Sequence, residues 1–191
     1  VKQVSITVPG EPVAKARTKH RAIHTGAFYY NKTKGRQEEK IIPQEYTPKE
    51  SVSFENLVRT VFVSQCRDQP WAGPCLVDVC AYLQAPKSLR VSDRQLAEVD
   101  GLPHVKKPDG DNIMKAVKDG LRSVAYVDDN QVIDGHYRKI YSYRPRTEIL
   151  ITFLTMEEAC QRLRQTSVPS SEPCGFPTTK RTPSDLILSP A

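Results

Sequence analysis

From Pro108 to Val124 the apolar residues Ile113, Met114, Val117, Leu121 and Val124 recur at three- and four-residue spacing, while Asp111, Lys115 and Asp119 recur every four. Each helical residue turns about 100°, so the charged set drifts only about 80° over its length and forms a stripe of its own, away from the apolar one. A helix with this pattern needs a partner to cover its apolar face and leaves the other face free for chemistry. Pro108 and the Asp/Asn cluster mark its start. Asp109 stands at its mouth, where unpaired N–H groups and the positive end of the dipole favour a carboxylate.

The rest of the 191-residue chain supplies the cover. Val4, Ile6 and Val8 alternate with polar residues up to Pro9-Gly10, which predicts a half-buried strand ending in a turn. Ser51 or Ser53 suits the cap of a helix through about Gln65, with Phe54, Leu57, Val58, Val61 and Phe62 on one face. Leu76 to Leu83 predicts a buried strand, and Ser92 to Val99 a short helix. Val127-Asp128-Asp129-Asn130 leads into a run from Gln131 to Tyr143. Arg144-Pro145-Arg146 separates that run from the alternating Thr147 to Thr155, a pattern that predicts a terminal β-hairpin. The expected architecture is a single α+β domain over residues 1–155, a small mixed sheet packed by helices, with no internal repeat. Beyond it, Met156 to Gln165 suits a short helix. Thr166 to Ala191 carries five Pro, five Ser and four Thr, the composition of a disordered tail.

Several function classes fall away. No apolar run approaches the roughly 20 residues of a membrane helix, and no secretory leader opens at Val1-Lys2-Gln3, so a cytoplasmic protein is expected. Cys66, Cys75, Cys80, Cys160 and Cys174 contain no C-x-x-C pair and read as reduced thiols. There is no P-loop or dinucleotide fingerprint, hence no expected nucleotide cofactor. A calcium EF-hand fails because Ile113 and Met114 would occupy a ligand position and the required glycine position.

Residues 1–49 hold ten basic and four acidic residues, the whole excess behind the chain's net charge of +6. Between Glu11 and Tyr46 this basic stretch shows little apolar periodicity and interleaves Phe28, Tyr29, Tyr30 and Tyr46, which predicts an extended, partly mobile loop suited to a phosphate backbone. If the strand opened by Asp128 and Asp129 lies beside the helix, then Asp109, Asp111 and one of that pair converge. Carboxylates so close repel one another unless a cation sits among them. An all-oxygen set favours Mg²⁺, with Mn²⁺ as substitute, and phosphoryl chemistry follows, with Lys115 on the phosphate or the attacking water. The same residues also suit an ordinary solvated helix face with an i, i+4 pair, and Asp128-Asp129-Asn130 an ordinary turn. Spacing alone does not choose between these readings.

The motifs add a resemblance. Asp109-x-Asp111-Asn112-x-x-Lys115-x-x-x-Asp119-x-Leu121, followed by Asp128-Asp129-x-Gln131-Val132 and preceded by Lys106-Lys107-Pro108, resembles the signature of the RusA-type Holliday junction resolvases, many of them phage-borne. Gly10-x-Pro12-x-x-Lys15-x-Arg17 and Tyr46-Thr47-Pro48-Lys49 are weaker matches of the same kind. The resemblance spans residues 1–155. It implies a Mg²⁺-dependent homodimer that resolves four-way DNA junctions by paired nicks, in recombination and repair. It also implies catalytic roles for Asp109, Asp111, Lys115 and Asp129, with Asp128 beside Asp109, Asp111 and Asp129 as metal ligands. Lys15, Arg17, Lys19, Arg21, Lys106 and Lys107 are then the expected DNA contacts, and His20 and His24 are loop residues rather than ligands. The Gly26–Tyr46 stretch and the tail from Thr166 exceed compact members of the family. Competing readings are a broader nuclease for flaps and forks, and a basic DNA-binding module without cutting.

Overall fold

The computed structural model describes residues 1–166. Its centre is set by Cys75–Gln84, the most continuously apolar strand of the chain, with burial on both faces. Such a strand needs a neighbour on each side. On one side Arg146–Phe153 runs antiparallel to it, from Cys75 opposite Phe153 to Tyr82 opposite Arg146. On the other Tyr137–Ser142 runs parallel, from Val79 opposite Tyr137 to Gln84 opposite Ser142.

In chain order the strands are β1 (Lys2–Pro9), β2 (Lys19–Asn31), β3 (Arg36–Tyr46), β4 (Cys75–Gln84), β5 (Leu102–Pro103), β6 (Val132–Asp134), β7 (Tyr137–Ser142) and β8 (Arg146–Phe153). The helices are α1 (Lys49–Gln65), α2 (Val91–Glu98), α3 (Gly110–Leu121) and α4 (Met156–Thr166). The main sheet is mixed, in the order β1-β8-β4-β7-β5, with β6 pairing the start of β4. Ile6, Val8, Val77, Val79, Ile149 and Ile151 of the sheet form one core with Phe54, Val58 and Phe62 of α1 and with Ile113, Val117 and Leu121 of α3.

The α+β architecture agrees with the sequence, and three local expectations are corrected. The terminal hairpin does not form. Although only Tyr143-Arg144-Pro145 separates β7 from β8, β4 lies between them, because pairing them would strip the doubly buried β4 of a neighbour. The run from Gln131 to Tyr143 breaks at Gly135-His136, where Gly135 crosses the Val77 carbonyl so closely that a Cβ would lie 2.3 Å from its oxygen. And the stretch expected as a basic loop is largely a long β-ribbon, β2 paired with β3 in a sheet of their own.

Helix boundaries shift modestly. The α3 helix ends at Leu121, leaving Val124 half-buried beyond it. Pro48, not a serine, precedes α1, and Leu57 is exposed. Ser51 is buried and tied to the chain before the ribbon, donating to the Ala14 carbonyl at 3.3 Å and accepting from the Ala16 N–H at 3.1 Å. Thr155 and Glu158 cap α4 reciprocally. Cys66, Cys75, Cys80 and Cys160 are free thiols, while Cys174 and the expected disordered tail from residue 167 lie outside the described residues.

The α1 and α3 helices approach closely because Gly120 lacks a side chain. A Cβ there would lie 2.8 Å from the Glu55 carbonyl oxygen and 2.9 Å from the Val58 Cβ. Gly120→Ala is therefore expected to destabilise the fold by about 1–3 kcal/mol despite the better helix propensity of alanine. Urea denaturation checks this, and an unchanged midpoint would show that the two helices can separate freely.

Candidate active site

The outward stripe of α3 and the turn after it meet across an open cavity of about 390 Å³, lined by Asp111, Met114, Lys115, Lys118, Asp129, Gly135 and Tyr137. Asp111, Lys115 and Lys118 come from successive turns of α3, whose opposite face holds Ile113, Val117 and Leu121 in the core. Asp129 opens a single 3₁₀ turn, Asp129–Gln131, rather than a strand.

A chain of hydrogen bonds brings Asp129 to α3. After the helix Ser123 adopts φ 65°, and the buried Tyr126 hydroxyl donates back to the Lys118 carbonyl at 2.9 Å. The next residues are stitched to Trp71, whose N–H donates to the Ala125 carbonyl and whose carbonyl accepts from the Val127 N–H. Gln131 then closes the turn. Its side-chain amide donates to the Trp71 and Gly73 carbonyls at 2.9 and 2.7 Å, and its Oε1 accepts from the Asp128 N–H at 2.9 Å. In return the Asp128 carboxylate accepts from the Asn130 N–H at 3.1 Å, so Asp128 and Gln131 form a capping box.

The expected ligands take different places in the fold. Asp128 does not line the cavity. It caps the turn and pairs with Arg122 at 2.7 Å, and the Asn130 N–H, then a hydrogen bond with the Asp129 side chain, then Arg122 hold its carboxyl below the usual carboxylate range. Asp109 is exposed at the N-cap position of α3 and makes no side-chain cap bond. The full convergence expected from the spacing is not seen: among the described residues no three His, Cys, Asp or Glu side chains gather closely enough to hold a metal. What the fold does bring together is two carboxylates, Asp111 and Asp129, with two ammonium groups. That donor set still suits Mg²⁺, which is commonly held by one or two carboxylates with water and substrate phosphate completing the shell.

The expected DNA contacts divide. Arg17, Lys19 and Arg21 are exposed, as are Lys106 and Lys107, which lie on the loop entering α3. The Lys139 ammonium latches that loop by donating to the Lys106 and Pro108 carbonyls at 2.9 and 2.8 Å. Lys15 differs from these, its ammonium pairing with Glu55 at 2.6 Å and with Asp119 at 2.8 Å. Burial lowers the Lys15 pKa, but the two carboxylates outweigh it and raise the group above its ordinary value. Asp119 is thus the far end of a structural ion pair and stands apart from the cavity. His20 and His24 pair with Glu45 and Glu39.

Lys118 and Tyr137 line the cavity without being expected from the sequence, and Gln131, part of the motif, had no role assigned to it. The Asp128-x-x-Gln131 spacing of a capping box was the available signal for Gln131. Lys118 lay at the edge of the Asp111/Lys115 stripe, and nothing in the local pattern marked Tyr137.

Residues 9–152 match the family model described as Endodeoxyribonuclease RusA. The chain belongs to that family. It is also 34% identical over 150 residues, 78% of this chain and 94% of the relative, to "Uncharacterized protein YqaN" of Bacillus subtilis (strain 168). The family match starts at the end of β1 and runs almost to the end of β8, so it takes in α3, the Asp129 turn and the ribbon together. Membership makes the chain a nuclease by family. No helix among the described residues is long and apolar enough to cross a membrane.

Proposed function

We propose that this RusA-family protein is a Mg²⁺-dependent Holliday junction resolvase, acting as a homodimer that makes paired nicks in four-way DNA during recombination and repair. The observation that carries this reading is the shared cavity of Asp111, Asp129, Lys115 and Lys118 in a chain of an endodeoxyribonuclease family. Asp111 and Asp129 would hold the metal, and Asp109 at the helix mouth is the proposed third acid of the site. When bound, Mg²⁺ supplies acidification of a water and charge neutralisation at the leaving oxygen. Lys115 and Lys118 bind non-bridging oxygens of the scissile phosphate and offset the charge that grows there as water attacks phosphorus and the ester oxygen departs. The mixed charge of the cavity is apt for this work: carboxylates alone repel a phosphodiester, and ammonium groups alone bind it without activating water. A two-fold dimer would present two such cavities to a substrate with two-fold symmetry, as paired nicking requires.

The test is cleavage of an end-labelled four-way junction beside a matched linear duplex and a flap, each with Mg²⁺ and with chelator. Symmetric nicks confined to the junction and lost with chelator are the expected result. Cutting of all three substrates would replace the proposal with a broader nuclease, and tight binding without any nick would replace it with a DNA-binding module.

A further inference from the structure

The β2–β3 ribbon has two electrically different faces. Residues opposite one another in an antiparallel pair share a face, and the register puts Lys19 opposite Tyr46, Arg21 opposite Gln44 and Asn31 opposite Arg36. The bulge between His24 and Phe28 advances four positions along β2 against two along the partner strand, from Ile41 to Glu39, both even, so both strands keep the same faces across it. One face therefore carries Lys19, Arg21, Arg36 and Lys40 against a single acid, Glu38. The other carries His20, His24, Phe28 and Ile41 with Glu39 and Glu45, both acids paired to the histidines. The side-chain contacts agree: Arg21 bonds Gln44 at 2.7 Å and lies over the Tyr46 ring, both on its own face, and Tyr29 bonds Glu38 there too.

A two-stranded ribbon is at best marginally stable without a partner, and this one leaves Phe28, Tyr29, Tyr30, Ile41 and Ile42 exposed. The chain leading into it is tied to α3. Lys15, four residues before β2, donates its N–H to the Asn112 carbonyl at 2.8 Å, next to Asp111 on α3.

We propose that the basic face of the ribbon lies along a double-stranded arm of the DNA, with Lys19, Arg21, Arg36 and Lys40 on its phosphates. The proposal deepens the reading of the chain as a DNA-cutting enzyme and rests on it. Charge complementarity selects the occupant: four cations against one acid face a polyanion, while the other face has no excess of cations. Size agrees, since a 13-residue strand spans about 40 Å and one turn of duplex about 34 Å. A two-stranded ribbon is also narrow enough to enter a major groove.

The experiment measures binding of a labelled linear duplex and of a four-way junction across salt, with junction cleavage recorded in parallel. Removing three phosphate contacts with Arg21→Gln, Arg36→Gln and Lys40→Gln together is expected to flatten the slope of log K against log salt by about 2.7 and to weaken binding at least about tenfold in 0.1 M salt. The paired change Phe28→Ser with Ile41→Ser, on the other face, is expected to leave the slope alone. Because Lys19 and Tyr46 are direct partners, an Asn-Gly turn joining them can replace the ribbon between, and this shortened chain is expected to lose slope as the triple variant does. A wild-type slope in either the triple variant or the shortened chain overturns the proposal. So does loss of a dimer together with DNA affinity in the Phe28/Ile41 variant, which would assign the ribbon to a second copy of the chain. Wild-type protein that binds duplex but leaves the junction uncut refutes the resolvase reading, while the slope still decides the role of the ribbon.

Discussion

Asp129→Asn is expected to lower Mg²⁺-dependent junction cleavage by at least about 100-fold, the scale on which a single electrostatic group acts at a transition state, while junction binding persists or tightens. The amide keeps the size and shape of the side chain and can still hydrogen-bond the neighbouring Asp128 carboxylate, and the capping box of Asp128 and Gln131 is untouched, so the 3₁₀ turn stays in place. What disappears is one of the two negative charges that share the cavity with Lys115 and Lys118. On the proposed reading its removal would cost the metal a ligand and relieve repulsion of the phosphodiester, so affinity and rate are expected to move in opposite directions. Single-turnover cleavage and a binding titration in chelator separate the two, and nicking at the wild-type rate would remove Asp129 from the site.

The second large effect is expected at a residue that does not line the cavity. Gln131→Leu deletes three hydrogen bonds and leaves the Gly73 carbonyl and the Asp128 N–H without their partner, while the Trp71 carbonyl keeps only the Val127 N–H. The unpaired groups predict a loss of about 1–3 kcal/mol in stability. The freed turn displaces Asp129, and a misplacement near 1 Å can cost about 100-fold in rate. Gln131 is a positioning residue, so the DNA affinity of the folded variant is expected to match wild type while its cleavage rate falls. Equal cleavage by both proteins would show that the turn holds itself.

How much of this was legible follows from where each signal originates. The strands β1 and β8 and the helices α1 and α3 each pack one face on the core, so Ile6 and Val8, Ile149 and Ile151, or Ile113 and Val117 announce themselves by period. The ribbon has no such contrast, because both of its faces meet solvent, and its Lys, Tyr and Ile residues alternate without a buried side to mark. The expected hairpin of β7 and β8 came from their short connection, a local cue. The requirement that β4 be flanked on both sides is a property of the whole sheet. At the site, the motif places Asp111, Lys115 and Asp129 together, but spacing does not say where a side chain is spent. Asp128 goes to a cap and Arg122, and Lys15 to Glu55 and Asp119, through partners up to 104 residues away that no local window contains.

The strand order also dictates when the molecule can be completed during synthesis. The first strand to leave the ribosome, β1, pairs only with β8, Lys2 meeting Phe153, and β4 waits for the same late strand on one side and for β7 on the other. The helices that carry Asp111 and the core residues are made before the surface they cover exists. Folding of this domain is therefore a late event that follows translation of nearly the whole family-matched region, and an N-terminal fragment ending before β8 has neither a finished sheet nor a supported cutting site.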